Sequence, residues 1–133
     1  MAYLIDSDLA IDHLGDDADA VRLIGLLAPD GLAMSAVSLM EVSQGVGRGP
    51  FPQDDAAALD ALLAIVRILA FDIAEARRSA DLRETLRGQG RRVSSRALDL
   101  MIAATAIEHD LILVTRNVRD SRDVPGLVLY ASA

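Results

Sequence analysis

The sequence predicts an α/β fold built around a mostly parallel central sheet. Short apolar runs, such as residues 3–5 and 111–114, alternate with longer segments in which apolar residues recur at helical spacing. Strands that alternate with helices along a chain pack most simply as parallel strands joined by helical crossovers. The length of 133 residues fits one domain, which we place over residues 1–133.

Proline and glycine divide the first half of the chain into its elements. Pro29-Asp30-Gly31 stops a helix whose apolar face carries Val21, Ile24 and Leu27, and residues 45–52 (GVGRGPFP) form the clearest break in the chain. The elements predicted here are a strand at residues 3–5, a helix running to residue 14, a helix at 17–28, a strand at 32–34 and a helix at 38–46.

The second half continues the alternation. An Ala- and Leu-rich segment runs into AIVRILAF, whose residues 67–71 fit either the end of a helix or a third strand. Gly88-Gln89-Gly90 closes the next helix, and LILV is a strongly apolar strand. The remaining predictions are helices at residues 53–64, 73–87 and 97–109 and strands at 111–114 and 127–130.

Composition indicates that the chemistry comes mainly from carboxylates. All 13 basic residues are Arg and the chain has no Cys, which excludes a P-loop lysine, a Schiff-base lysine, a thiolate zinc site and a cysteine nucleophile. The N-terminus has no basic segment ahead of a long apolar run, and the uncharged runs are too short to span a bilayer. We therefore expect a soluble, cytoplasmic protein without a membrane segment.

Charge is distributed unevenly along the chain, which has a net charge of −7. Residues 1–60 hold eleven acids and two Arg, whereas residues 77–96 hold seven Arg and two acids. Because Arg binds phosphate through its forked guanidinium, Arg91, Arg92 and Arg96 are candidate RNA contacts. The alternative is a solvated helix face whose Arg residues pair with nearby acids.

Two acids follow or precede apolar segments at positions that favour a ligand site. Asp6 closes the first strand, where it either caps the next helix or faces the crevice at the carboxyl edge of the sheet. Glu41 is either the last member of a capping box that begins at Ser38 or a ligand. Thr115 and Asn117 follow another buried strand, so we expect them at the same sheet edge as Asp6, although a solvated turn is the ordinary interpretation of this run.

Asp99 lies in the otherwise apolar helical segment ALDLMIAATAI. Counting by helical turns places it on a face with Ile102 and Ala106, so we expect it to project toward the core. A buried carboxylate without a partner would take up a proton, pair with Arg92 or Arg96, or bind a metal ion.

The acids make a stronger case as a set than alone. Asp6, Glu41, Asp99 and Asp120 come from four separate segments, and the chain offers no Lys to neutralise them. Carboxylates crowded together cannot all stay ionised without a cation. Hard oxygen donors favour Mg²⁺ or Mn²⁺ over zinc, so the set predicts a site for one of these ions.

Four stretches together resemble the PIN-domain ribonucleases, in particular the VapC-type toxins of toxin–antitoxin pairs. They are YLIDSDLAIDHL, MSAVSLMEVSQGV, ALDLMIAATAIEHDLILVTRNVRD and VPGLVLY, and they span nearly the whole chain in the order of the family. The resemblance implies a three-layer α/β/α fold and a Mg²⁺- or Mn²⁺-dependent endoribonuclease in which a metal-activated water cleaves RNA. It also implies a VapB-type antitoxin as partner and a homodimer.

The resemblance assigns roles to individual residues. Asp6, Glu41, Asp99 and Asp120 match the acids of the metal pocket, and Ser7, Thr115 and Asn117 match supporting polar positions. Ser121 stands where an aromatic residue often follows the last acid, which leaves the anchoring of that turn open. Asp8 stands where relatives often have Asn or Ser, so it either adds charge near the site or caps the helix.

Two other functions remain open at this point. Asp6-Ser7-Asp8 also resembles the opening of haloacid-dehalogenase-like phosphatases, but the lysine usual in that family is missing. A non-catalytic metal- or partner-binding module would use its acids only structurally, and Asp99→Asn would then be harmless or stabilising. His13 and His109 lie near predicted helix ends and receive no catalytic role. The sequence leaves the cleaved RNA undetermined.

Overall fold

The computed structural model describes residues 2–50 and 52–131. Four residues of the predicted domain lie outside this range: 1, 51, 132 and 133. Residue 51 belongs to the predicted break at residues 45–52. Strands and helices alternate as predicted. The elements are β1 (Tyr3–Ile5), α1 (Ser7–Leu14), α2 (Ala18–Leu27), β2 (Leu32–Ser35), α3 (Ala36–Val46), α4 (Pro52–Leu63), β3 (Val66–Leu69), α5 (Ile73–Gly88), α6 (Ala97–Glu108), β4 (Ile112–Val114) and α7 (Val118–Ser121).

The four strands form one parallel sheet in the order β3-β2-β1-β4. Tyr3 stands opposite Leu32 on one side and Ile112 on the other, so β1 is central. The predicted mostly parallel α/β sheet is confirmed. Because parallel strands share one direction, the carboxyl ends of all four strands meet at a single edge.

Alternate residues of each strand pack into cores on opposite faces of the sheet. Ile5 and Met34 join the core formed with α1, α2 and α4, whereas Leu4 and Ala33 join the core formed with α6. A third cluster around Leu100 packs α5 against α6. The sheet is therefore covered on both faces, which confirms the three-layer α/β/α arrangement and accounts for the apolar strands.

Two sequence ambiguities are resolved by strand pairing. Residues 66–69 form a strand rather than the end of a helix, because β-branched Val66 and Ile68 fit the pleat beside β2. The strand predicted at residues 127–130 is reduced to a single bridge between Leu113 and Leu129. The turn at residues 125–126 directly precedes it, and Val128 is 55% exposed, so little of this segment pairs.

Helix α3 begins two residues earlier than predicted. Ser35 is its N-cap and accepts a hydrogen bond from the Val37 N–H. Ser38 therefore lies inside the first turn of the helix and is not its N-cap, so the alternative of a capping box from Ser38 to Glu41 is wrong. In the part of the chain that the structure describes, no helix is both long enough and apolar enough to cross a membrane.

Candidate functional site

Asp6 lies where β1 ends and α1 begins, and two hydrogen bonds fix its carboxylate. Ser7 N–H donates to Oδ1 over 2.7 Å, and the Thr115 hydroxyl donates to Oδ2 over 2.8 Å. The Asp6 N–H also donates to Val114 O over 3.0 Å, which joins the ends of β1 and β4. The expectation that Asp6 and Thr115 meet at one sheet edge is therefore confirmed.

Glu41 reaches the same place from α3. The Ser7 hydroxyl donates to Glu41 Oε1 over 2.6 Å, and the Ser7 side chain is buried. Since each carboxylate oxygen has two lone pairs, the bond from Ser7 holds Glu41 in place and leaves acceptor capacity for a ligand. Glu41 does not help to cap α3, because Ser35 is the N-cap of this helix.

Asp8 lies beside these acids. The sequence had left open whether it adds charge near the site or only caps the helix. Arg116 N–H donates to Asp8 Oδ2 over 3.2 Å, and Leu9 N–H donates to Oδ1 over 2.6 Å. The Thr115 hydroxyl lies 3.4 Å from Asp8 Oδ2, but its single proton serves the shorter bond to Asp6. The signal for Asp8 was the Asp-x-Asp spacing at a strand–helix junction.

Asp99 stands in the first turn of α6 and is solvent-exposed, so the prediction that it projects toward the core is wrong. Burial on this helix begins at Leu100 and continues from Ile102. Asp99 therefore precedes the buried stretch of the helix and faces the crevice instead of the core. The side chain lines a cleft of about 300 Å³ together with Glu41 and Ser95.

We call Asp6, Asp8, Glu41 and Asp99 the acidic crevice, and its electrostatics are unfavourable to ionised carboxylates. Burial, followed by the charge of Asp8, raises the pKa of Asp6 from 3.8 to about 6 against the opposing bonds from Thr115 and Ser7. Burial also raises the pKa of Asp8. Partial desolvation, followed by the charges of Glu41 and Asp120, raises the pKa of Asp99. Among the described residues, none of these four acids forms an ion pair.

Asp120 and Asn117 occupy the rim of the crevice. Asp120 is exposed in the short helix α7 and lines a cleft of about 660 Å³ with Asp99. Asn117 N–H donates to the Thr115 hydroxyl over 3.0 Å, so this residue supports Thr115 through its backbone. The structure thus brings Asp6, Glu41 and Asp99 toward one crevice and leaves Asp120 at its edge.

The candidate RNA contacts divide into two groups. Arg91 and Arg92 are exposed, and Arg91 lines the 660 Å³ cleft with Asp99. Arg96 instead pairs with Asp123 through Nη2–Oδ1 and Nη1–Oδ2 contacts of 2.6 and 2.9 Å. The alternative in which Arg96 pairs with Asp99 is therefore wrong. Its forked face is engaged by Asp123, and its side chain also lines the 660 Å³ cleft, so Arg91, Arg92 and Arg96 all stay predicted RNA contacts.

The donor chemistry of the crevice fits a hard divalent cation. Its ligating atoms are carboxylate oxygens, which Mg²⁺ and Mn²⁺ prefer. Across residues 2–50 and 52–131, no three His, Asp or Glu side chains already stand close enough together to hold a metal ion. The acids nevertheless act on one another electrostatically, Asp6 with Asp8 and Asp99, and Asp99 with Glu41. The crevice suits a cation in composition and charge, and it would have to contract to coordinate one.

Comparisons with known proteins converge on one family. A family model described as the PIN domain matches residues 3–126. The tRNA(fMet)-specific endonuclease VapC of Shigella flexneri is 29% identical over 96% of this chain and 95% of its own. Ribonuclease VapC19 of Mycobacterium tuberculosis is 34% identical over 93% of this chain and 95% of its own. A chain of the VapBC2 complex of Rickettsia felis, solved bound to a promoter DNA fragment, superposes with a TM-score of 0.87 at 25% identity, covering 98% of each chain.

Proposed function

The chain belongs to the PIN domain family and, within it, to the VapC ribonucleases, and from this premise we propose that the acidic crevice is the catalytic site of a metal-dependent endoribonuclease. It acts as the toxin of a toxin–antitoxin pair. Family membership also removes the haloacid-dehalogenase-like phosphatase as an alternative. The remaining alternative, a binding module with purely structural acids, is addressed by the experiment below.

One observation carries the site assignment. Carboxylates from the β1–α1 junction, α3 and α6 lie toward one crevice at the carboxyl edge of a parallel sheet, and none of them has a paired cation among the described residues. The pKa of Asp6, raised to about 6, records the free-energy cost of this arrangement. A protein that used these acids only to hold its fold would gain more by pairing them. A bound divalent cation would remove the cost.

The protein's own groups prepare the crevice for that ion. Thr115 holds Asp6 and Ser7 holds Glu41, so each carboxylate is oriented and keeps free lone pairs. We propose Asp6, Glu41 and Asp99 as metal ligands and Asp120 as an acid at the rim, with Mg²⁺ or Mn²⁺ as the ion. When bound, the ion would act as a Lewis acid that lowers the pKa of a water molecule and neutralises charge on a phosphodiester.

The surroundings of Asp99 favour a phosphate-bearing substrate. Arg91, Arg119 and Arg122 line the cleft that Asp99 and Asp120 open into. Guanidinium groups there would hold backbone phosphates next to the acids that hold the ion. Since the Shigella flexneri relative is named as a tRNA endonuclease, transfer RNA is the first substrate to test.

The partner proposal follows from the structural neighbours. Several solved neighbours are VapBC toxin–antitoxin complexes. We therefore propose a VapB-type antitoxin that masks the crevice, a homodimer as the toxin's own assembly, and the cytoplasm as the compartment where RNA is met. Adding the antitoxin to the purified toxin should abolish cleavage.

The deciding experiment is cleavage of end-labelled transfer RNA and total RNA by the purified chain, free of antitoxin. Wild type is compared with Asp99→Asn in Mg²⁺, in Mn²⁺ and with chelator. We expect discrete fragments that require metal, and a loss of about 100-fold or more in Asp99→Asn, because removing one element of charge stabilisation at a transition state costs about that much. Asp81→Asn, an exposed acid on α5, is the matched control and should cleave like wild type. Equal cleavage by wild type and Asp99→Asn would refute the proposal.

A further inference from the structure

Helix α7 carries Asp120 to the rim of the crevice but has little to hold it there. It is four residues long, and no side chain caps its N-terminus. The backbone hydrogen bonds around it are local, from Asp120 N–H to Asn117 O and from Val124 N–H to Ser121 O. A helix this short does not hold its own position, because helix formation is unfavourable below several turns.

Arg96 connects this segment to the rest of the protein. Its Nη1 and Nη2 donate to the two carboxylate oxygens of Asp123 over 2.9 and 2.6 Å, and Nη2 also donates to the backbone carbonyl of Asp120 over 2.8 Å. In the described part of the chain, these are the hydrogen bonds that join residues 118–126 to a residue outside 117–127. Val124, buried near Leu100, is the apolar anchor at the end of the segment.

The position of Arg96 links two candidate acids. It directly precedes α6, and Asp99 lies in the first turn of that helix. The same guanidinium therefore ties the helix end that presents Asp99 to the carbonyl of Asp120. The Arg96 and Asp123 side chains are only 17% and 23% exposed, so solvent screens the pair little. Ser121, the residue after Asp120, supplies no large apolar group to hold the turn instead.

We propose that Arg96 and Asp123 are positioning residues of the nuclease site, a clamp that keeps Asp120 at the cleft beside Asp99. The proposal rests on the proposed function, because positioning has meaning only if the crevice binds a cation and RNA. Asp123 itself need not touch either. Without the clamp, the α7 segment would pivot about Val124 and carry Asp120 away from Asp99.

The geometry of the clamp predicts the effect of substituting either of its two residues. Arg96→Lys keeps the charge but loses the fork that reaches both Asp123 oxygens and the Asp120 carbonyl. Groups that orient metal ligands typically contribute about 10- to 100-fold in metal affinity or activity. We therefore expect Asp123→Asn and Arg96→Lys each to lower Mn²⁺-dependent cleavage by about 10- to 100-fold, mainly in kcat.

The test is a double-mutant cycle between the clamp and the acid it positions. RNA cleavage in Mn²⁺ is measured for wild type, Asp123→Asn, Asp120→Asn and the double variant. If the clamp acts through Asp120, Asp123→Asn should lower cleavage in the wild-type background and change it by less than about 3-fold in the Asp120→Asn background. Amide hydrogen exchange should also become faster across residues 117–124 in Asp123→Asn.

A matched control separates positioning from loss of an ion pair in general. Glu108→Gln breaks the Arg78–Glu108 pair, which has a similar N–O distance of 2.7 Å and joins α5 to α6 away from the crevice. It should leave cleavage close to wild type. If Asp123→Asn does not fold, Arg96→Lys replaces it in the cycle, because this variant retains a cation beside Asp123.

The outcomes distinguish the two proposals. Wild-type protein without metal-dependent cleavage would contradict the proposed function itself. Active wild type with an equally active Asp123→Asn would refute the clamp alone. An equal loss from Asp123→Asn in both backgrounds would also refute it, because Asp123 would then act independently of Asp120.

Discussion

The acidic crevice and the Arg96–Asp123 pair lie side by side, yet they treat carboxylates in opposite ways. Burial and neighbouring negative charge raise the pKa of Asp6 to about 6. The hydrogen-bonded guanidinium of Arg96 lowers the pKa of Asp123 below its ordinary value. Ionised Asp6 therefore lowers the free energy of unfolding, whereas ionised Asp123 raises it. The difference indicates that the crevice acids are kept for a ligand and that Asp123 is kept for structure.

The contact between α5 and α6, away from the crevice, also contains acids that are paired. Between α5 and α6, Arg78 binds Glu108 over 2.7 Å, and buried Glu75 accepts a hydrogen bond from Asp72 N–H over 2.7 Å. Glu75 also lies 3.5 Å from His109. Acids that serve the fold in this protein have a partner. In the crevice, hydroxyl and amide donors orient Asp6, Asp8 and Glu41, and no ion pair to any of its four acids occurs within the described residues.

The largest expected effect is that of a metal ion on the thermal stability of the protein, which should depend on the acidic crevice and not on the paired regions. A ligand that binds only the folded state stabilises it by about 2.7 kcal/mol at about 100 times its dissociation constant. We expect Mn²⁺ to raise the thermal midpoint of wild type and to lose most of this effect in Asp6→Asn, because one ligand is gone. Thermal unfolding with and without Mn²⁺ measures the difference.

Glu108→Gln is the matched control for this prediction. It should unfold at a lower temperature than wild type because it breaks a pair, and it should keep the full rise on adding Mn²⁺. If Asp6→Asn kept that rise too, Asp6 would not be a ligand and the contrast between the regions would fail.

The pH dependence of stability should have opposite signs at Asp6 and Asp123 in metal-free protein. Between 3.8 and about 6, folded Asp6 retains a proton that the unfolded chain releases. Its contribution to the free energy of unfolding therefore falls as pH rises through this window. Asp6→Asn should be more stable than wild type above about pH 6, and this advantage should disappear below about pH 4.

Asp123 should behave in the opposite way. Its pKa is lowered in the folded state, so its contribution is present above its unfolded pKa of 3.8 and is lost as pH falls through the lower folded pKa. Asp123→Asn should destabilise the protein at neutral pH and less so in acid. Urea unfolding of both variants across this pH range, with chelator present, checks the signs. Two effects of the same sign would contradict the comparison.

The smallest expected effect concerns Arg91 and Arg92, for which no ion pair occurs within the described residues. Each phosphate contact with a single strand contributes about 0.7 to the slope of log affinity against log salt. Replacing Arg91 and Arg92 with Gln should therefore weaken RNA binding several-fold and make the slope shallower by about 1.4. Filter binding at several salt concentrations measures this.

Arg67→Gln is the control for the salt slope. Arg67 is an exposed cation on β3, the strand at the opposite edge of the sheet from β4. Its removal should leave the slope unchanged. An unchanged slope in the Arg91 and Arg92 variant would exclude both residues from the RNA surface.

The sequence predicted the fold well because its signals are local. The three-residue strand Tyr3–Ile5 and the helix stop at residues 29–31 depend on residue type and on proline and glycine. The start of α3 was missed because Ser35 and Ser38 are both residues that favour an N-cap, and the choice depends on where pairing ends β2, which is at Ser35. The final strand was overestimated because pairing with Leu113 depends on where the chain returns.

The candidate site, like the fold, was predicted from sequence only in part. The sequence by itself determined the main chemistry: without Lys or Cys, catalysis must come mainly from carboxylates, and Asp6 directly follows the first strand. Only the tertiary structure decided which carboxylates are neutralised. Arg96 joins Asp123, 27 residues away, rather than Asp99, and Ser7 joins Glu41, 34 residues away. These pairings follow from the packing of separate helices at one sheet edge, because charges interact through distance in space rather than separation along the chain.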